Sequence, residues 1–440
     1  MSSTESHDTN PKLFPLLWLL LGAQVGWLAL IVHPDYLFEF FYFTNEWDML
    51  HDMDVVGYWK WVFDFRAELF IPVFKFLWSI VVLAGDGDYR VLIITVFANH
   101  VLILFLIGYL MRMWGFGLTA CLFVQCILGA NYTHIEVFSW TSQWIGLLAL
   151  TCFLLMLIPF SNAYLKDEKV SWLQILIVLL VSTLGALSFG RGVLNGTAVL
   201  CTSILLFLLR DSSRKHTWLP AITSFVPCIV VAGVIAYWSF THSANLADSG
   251  GQIGAILENL AYGLSLNPWF QQIRGLQISV GLAVLLFLLN VCVSVLGIYF
   301  AKPKQRAILY LLLLFFIGDA MLIALGRNHL PIEMIPSWRY QYFSLLVFAP
   351  FVGIIISKVI SYISFEGVRF FVAVTVVSLS TKWVFQPWAR YLPSWSENRG
   401  TQTRLIVESG ASDPDDHSIS GYYKITNDRA QELVEKYHLH

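Results

Sequence analysis

The densest collection of groups able to do chemistry is the run NEWDMLHDMDVVGYWKW, residues 45–61, where Asp48, Asp52 and Asp54 stand among Trp, Tyr and Met. If the run is helical, Asp48 and Asp52 share a face; if it is extended, Asp52 and Asp54 do. Either arrangement crowds two carboxylates. In a partly dry site that raises one pKa toward neutrality, making a general base, or lets the pair hold a divalent cation such as Mg or Mn. A solvated acidic loop is the plain alternative. A second stretch, GANYTHIEVFSWTSQW (129–144), supplies His134 and Glu136. Glu136 is a candidate second acid or, with Asp52 and Asp54, a metal ligand; the alternative is that both residues only solvate a tight turn.

Three arginines stand where apolar stretches end: Arg191 in SFGRGVLNG, Arg327 in ALGRNH and Arg339 in SWRYQY. A lone guanidinium beside hydrocarbon must snorkel or find an anion, and phosphate is its natural partner. Taken together with the acids, they suggest a site that handles an anionic lipid. Two ionisable groups lie inside apolar stretches, Asp319 and His100. Intramembrane acids are costly and face a cavity or a partner. For His100 an interhelical hydrogen bond is the expected role.

The elements that must position these groups follow from composition. Of 440 residues 57% are apolar and only 13% charged, and the mean hydropathy is +0.66. Soluble chains carry about 25% charged residues, so the expected class is an all-α polytopic membrane protein. Apolar runs predict eleven spans: 13–33, 90–112, 114–130, 143–160, 170–190, 192–209, 218–240, 276–300, 307–325, 343–361 and 368–388. The leader MSSTESHDTNPK lacks a small-residue cleavage site, so the first span is expected to be retained. Residues 69–84 are apolar but short, with Pro72 and Lys75 inside, and are read as lying on one membrane face. That reading puts twelve Lys/Arg (Lys12, Arg112, Lys166, Lys169, Arg210, Arg214, Lys215, Lys302, Lys304, Arg306, Lys358 and Arg369) on one side. Arg191, Arg274, Arg327 and Arg339 fall on the other. The positive-inside rule then makes residues 1–12 a cytoplasmic leader and places the loop 34–89 outside, where Asp35 to Asp88 hold ten of the 29 acids. The membrane domain covers 13–388. Residues 389–440 form a small extracytoplasmic tail with a short helix beginning near Thr426 or Asn427. A net charge of −2 and no basic stripe give no sign of a nucleic-acid partner. The six cysteines lie in apolar stretches without metal-ligand spacing.

The order of these features resembles the GT-C class of integral-membrane glycosyltransferases, which includes protein O-mannosyltransferases, aminoarabinose transferases and oligosaccharyltransferases. The resemblance runs mainly over residues 13–195. It rests on a first span, the acidic outer loop (HDMDVVGYWKW), an Arg before an interfacial apolar stretch (RAELFIPVFKF), a span ending in a basic residue (NHVLILFLIGYLMR), and an acid in the next outer turn (YTHIEVFSW). The later SWRYQYF is similar to an outer-loop pattern of bacterial members. The resemblance implies transfer of a sugar from a polyprenyl-phosphate or diphosphate carrier to a lipid-linked, glycan or other acceptor at the outer face. A bacterial inner membrane and a role in cell-envelope glycan biosynthesis go with it. It further implies Asp52 or Asp54 as the first-loop carboxylate and base, with Asp48 a further candidate from the same run, Glu136 as a possible second acid, and Arg191, Arg327 or Arg339 at the phosphate. Arg66, His134, Asp319 and Tyr340 are supporting residues on this reading. The competing function is a transporter or lipid flippase coupled through Asp319 and His100.

Overall fold

A backbone surrounded by lipid has no water to bond, so apolar runs of this length close their hydrogen bonds within helices. The computed structural model describes residues 40–42, 45–66, 69–129, 135–211, 215–242, 249–269, 279–326, 338–363 and 427–439, with isolated positions between 365 and 394. The expected spans 13–33 and most of 368–388 lie outside the described residues. The chain forms α1 (Asn45–Val56), α2 (Tyr58–Phe63), α3 (Pro72–Ala84), α4 (Tyr89–Met113), α5 (Leu118–Gly129), α6 (Ile135–Ser139), α7 (Trp144–Lys166) and α8 (Trp172–Ser188). It continues with α9 (Val193–Leu208), α10 (Trp218–His242), α11 (Ser249–Leu266), α12 (Val280–Phe300), α13 (Pro303–Gly326), α14 (Trp338–Ser361) and α15 (Asn427–Tyr437). Seven of these helices (α4, α7, α9, α10, α12, α13 and α14) are long and apolar enough to cross a membrane. The protein is an integral, multi-pass, all-α membrane protein.

Three elements add detail to the sequence expectation. The stretch 114–130 yields the 12-residue α5 among its described residues, about 18 Å long at 1.5 Å per residue. A turn at Trp114–Gly115, with Gly115 at φ +75°, delays its start. The stretch 170–190 yields the 17-residue α8, opened by a capping box between Ser171 and Gln174 and closed by the extended Phe189. Its outward face of Trp172, Leu173, Leu176 and Leu180 is exposed and apolar, as a lipid-facing surface requires. Finally α11 falls where no span is expected, because Gly, Asn, Gln and Ser dilute its hydropathy.

Contacts between loops sort the helix ends. Tyr164 donates to Asp211 at 2.7 Å, Lys304 to the Leu165 carbonyl at 3.1 Å, and Gln305 to the Gly115 carbonyl at 2.9 Å. The turns after α4, α7, α9 and α12 therefore meet at one end, the one that carries the basic loops. Because α10 leaves that end and α12 returns to it, α11 adds no net crossing; its last turn packs beside α12, where Asn290 donates to the Leu264 carbonyl at 2.8 Å. At that far end Tyr42 donates to the Gly87 carbonyl at 3.0 Å, and Tyr89 to Glu46 at 3.0 Å. The chain before α1 and the chain after α3 are thus side by side, so α3 does not cross.

The acidic segment is packed rather than loose. Trp47, Leu50, Trp61, Phe74 and Trp78 are buried in the same continuous core as the spans. Lys75, unexpected inside an apolar helix, is also buried. Its ammonium donates to the carbonyls of Trp61 at 2.7 Å and Asp64 at 2.9 Å, satisfying orphan acceptors at the end of α2. Burial pulls its pKa down to about 8, with Asp64 opposing the shift.

Small residues place the turn between α8 and α9. A Cβ on Gly192 would run into the Gly185 carbonyl of α8, and one on Gly196 into the Ser224 carbonyl of α10. Close approach of three backbones needs glycine here for space, since Gly192 itself has an ordinary φ of −59°. Asn195 pins the turn by donating to the Ala149 carbonyl at 2.9 Å.

Candidate active site

A 12-residue helix with little apolar surface is marginal by itself, so α1 depends on what grips it. Successive positions along it face different partners. On one side Glu46, fully buried, accepts from Tyr89 Oη (3.0 Å), Thr141 Oγ1 (2.6 Å) and the Ser142 amide (2.9 Å). The acceptors of one carboxylate thus join α1, α4 and the short helical turn Thr141–Gln143. Sequence reasoning missed this role: an acid beside Trp47 reads as surface until its donors, 43 to 96 residues away, are known. Glu46→Ala would leave three donors without their acceptor at about 1–3 kcal/mol each. We expect a loss of thermal stability in detergent larger than that of any other single acidic substitution in 45–64, read as a drop in Tm.

On a second side Asp48 meets Arg66, Oδ2 to Nη2 3.6 Å, with both side chains less than one fifth exposed. Arg66 is held by a tight turn in which it and Leu69 exchange backbone hydrogen bonds, both 2.9 Å. Burial pushes the Asp48 carboxyl up to about 6; Arg66 opposes that shift and Asp52, one turn on, adds to it. A carboxylate with such a pKa is ionised at neutral pH yet basic enough to take a proton. The helical alternative for 45–61 is the one realised, so Asp48 and Asp52 share a face.

On the third side Asp54 is bound by α15. Arg429 Nη2 lies 2.6 Å from Asp54 Oδ2, Lys436 bonds Oδ1, and Tyr437 Oη is 3.3 Å away. The hydrogen bond from Lys436 is the main reason its pKa is lowered. The structure therefore brings Asp48, not Asp54, toward the arginines.

Arg191 comes from the glycine-bounded turn between α8 and α9 and is only 6% exposed. Its Nε lies 2.9 Å from Asp319 Oδ1 on α13, an ion pair without hydrogen-bond alignment. Three rings enclose the guanidinium: Phe343 at 4.3 Å, Tyr340 at 4.8 Å and Phe189 at 5.7 Å from its central carbon. Aromatic faces stabilise a cation without consuming its donors. Arg191 Nη2 is buried and has no hydrogen-bond partner among the described residues. Arg191 lines a cavity of about 150 Å³ together with Met49, Arg66, Ser142, Gln143, Tyr340 and Tyr342. Two arginines thus line one space, and Asp48 pairs with one of them, Arg66.

The remaining expected residues divide between the described and the undescribed. Arg327 and His134 lie outside the described residues, as do the side chains of Arg339 and Glu136. His100 bonds Tyr342 Oη at 2.8 Å through Nδ1 and the Gly129 carbonyl at 3.1 Å through Nε2. Both ring nitrogens of His100 are hydrogen-bonded and Asp319 is paired with Arg191. Among the described residues no three His, Cys, Asp or Glu side chains converge on a metal position. Of the residues expected to hold a divalent cation, Asp54 is bound to Arg429 and Lys436, and the side chain of Glu136 lies outside the described residues. Ser142 and Gln143, unnoticed in sequence, line the cavity; the only signal was the polar TSQ at the start of a span.

Two solved structures are similar in fold. One is the archaeal oligosaccharyltransferase AglB from Archaeoglobus fulgidus in complex with an inhibitory peptide and a dolichol-phosphate, with 13% identity and a TM-score of 0.45, covering 94% of this chain and 59% of that one. The other is an Archaeoglobus fulgidus oligosaccharyltransferase in the apo form, with 14% identity and a TM-score of 0.43, covering 84% and 52%. Oligosaccharyltransferases belong to the GT-C class. The present chain spans a little over half the length of these proteins. No protein-family model and no curated protein matches the sequence.

Proposed function

We propose that the protein is a membrane-embedded glycosyltransferase. It moves a sugar from a polyprenyl-phosphate donor to a lipid-linked, glycan or other hydroxyl-bearing acceptor at the extracytoplasmic face. The observation that carries this reading is the buried Arg191, whose Nη2 has no hydrogen-bond partner among the described residues and which lines one cavity with Arg66, beside a carboxyl whose pKa is raised to about 6. A buried cationic donor without an acceptor is costly unless an anion completes it. A phosphate at the membrane interface supplies that anion, and its isoprenoid tail can run down the apolar helices.

The chemistry assigns each group a task. Asp48 accepts the proton of the acceptor hydroxyl as its oxygen attacks the anomeric carbon. The bond from that carbon to the phosphate oxygen breaks, and the configuration inverts. Negative charge grows on the departing polyprenyl phosphate, where Arg191 and Arg66 stabilise it. Asp319 fixes the Nε edge of Arg191 and leaves its outer nitrogens to the phosphate. The twelve-to-four charge bias supports a cytoplasmic basic end and hence an outer site.

Purified protein should release polyprenyl phosphate and glycosylate an acceptor when offered a panel of polyprenyl-phosphate sugars in detergent or liposomes. Absence of transfer from every donor, with the same lipids translocated across the liposome bilayer instead, would replace this reading by the flippase one.

A further inference from the structure

The sequence sets α15 apart as a polar, amphipathic helix at the end of the chain, yet one of its faces is inside the protein. Ala430 and Leu433 are fully buried, and Leu439 beyond them is nearly so. All three belong to the same core as the spans. Its polar side holds α1 at two points one turn apart: Arg429 Nε donates to His51 Nδ1 at 3.1 Å, and Arg429, Lys436 and Tyr437 surround Asp54. A third contact is with the turn after α3. A Cβ on Gly87, which has φ +75°, would strike the Tyr437 carbonyl. The segment most remote in sequence, 375 residues from Asp54, thus closes over the helix that carries Asp48.

We infer that α15 is a clamp that sets the position of α1, with Asp54 as its anchoring carboxylate and therefore a positioning residue for Asp48. Glu46 ties one side of α1 to the Thr141–Gln143 turn, and α15 ties the other. Between these two anchors Asp48 is presented to Arg66, which lines the cavity. A 12-residue helix gripped on one side only would pivot, and a base displaced by about 1 Å loses on the order of a hundredfold in rate. The catalytic consequence rests on the glycosyltransferase reading; the clamp itself does not.

The test uses the full-length protein in detergent with three variants: Asp54→Asn, Asp54→Arg, and Asp54→Arg combined with Arg429→Asp. Hydrogen exchange is followed in 45–56 and 427–439, and sugar transfer is measured in parallel. Asp54→Asn is expected to speed exchange about five- to thirtyfold in both segments, the factor that corresponds to one or two kcal/mol. It should also lower kcat while leaving the donor KM in place, since Arg191 and Arg66 are untouched. Asp54→Arg should be worse, and the paired reversal should recover both exchange protection and kcat. Unchanged exchange in 45–56 when α15 loosens, or faster exchange with full kcat, would overturn the inference. If wild-type protein transfers no sugar yet both segments loosen together and are rescued together, the clamp stands and the enzymatic reading fails.

Discussion

Asp48→Asn is expected to lower kcat for sugar transfer by about 10²–10⁴-fold, the range for loss of a general base, with little change in the donor KM. Asn keeps the size and the α1 helix but takes no proton. The pH profile gives a sharper outcome. Burial lifts the Asp48 carboxyl to about 6, and the working form of a base is ionised. Turnover should therefore hold above pH 6 and fall as pH drops through it. Arg66 lowers this pKa and Asp52 raises it, so Arg66→Gln should move the acid limb to higher pH and Asp52→Asn to lower pH. Stability carries the opposite sign to activity. With its folded pKa above the unfolded value, Asp48 contributes stability at low pH that is lost as pH rises through about 4 to about 6. Asp48→Asn should thus raise the Tm above pH 6 while removing turnover, the trade expected when a strained group is kept for function. Full kcat in Asp48→Asn, or an acid limb that survives in it, would remove Asp48 from the chemistry.

What sequence could show of this site follows the range of the interactions involved. The helical spacing that puts Asp48 and Asp52 on one face is local, and so is the placement of Arg191 in a glycine-bounded turn between two apolar runs; both were legible. The shortness of α3 was legible too, from Pro72, Lys75 and the charge bias. The choice among Asp48, Asp52 and Asp54 was not, because it depends on partners far along the chain. Arg66 was singled out as a supporting residue, but its pairing with Asp48 shows only in the fold, and Arg429 and Lys436 reach Asp54 from the far end of the protein. Glu46 shows the same limit, since a buried carboxylate with four donor contacts is indistinguishable in sequence from a solvated one. Asp319 was recognisable as an intramembrane acid needing a partner. Its proximity in sequence to Arg327 pointed along its own helix, whereas the described partner, Arg191, comes from across the bundle. Hydropathy missed α11 for a related reason: it reports what a segment can dissolve in, while the packing of a helix diluted by polar residues is fixed by its neighbours.

Arg191→Lys is expected to reduce kcat/KM for the polyprenyl-phosphate donor by about 10²–10³-fold, the scale for removing one donor to a developing anion, and to do so through the donor rather than the acceptor. Lysine keeps the charge beside Asp319, so the buried pair survives, but a point charge lacks the second, unpartnered nitrogen. It also loses the flat guanidinium that lies among Phe343, Tyr340 and Phe189. Arg191→Ala is a different experiment. It strands the Asp319 carboxylate in a fully buried position, and an unpaired buried charge costs about 3–5 kcal/mol, enough to threaten folding. Combining it with Asp319→Leu takes both charges away, and replacing a buried ion pair by apolar groups is often neutral. The double variant should therefore regain the thermal stability that Arg191→Ala loses and still fail to use the donor. This separates the two roles of the pair. If the uncharged pair restores transfer along with stability, Arg191 and Asp319 only hold α9 to α13, and the phosphate must be bound elsewhere. If stability returns and donor use does not, the unpartnered nitrogen of Arg191 is the group that the donor completes.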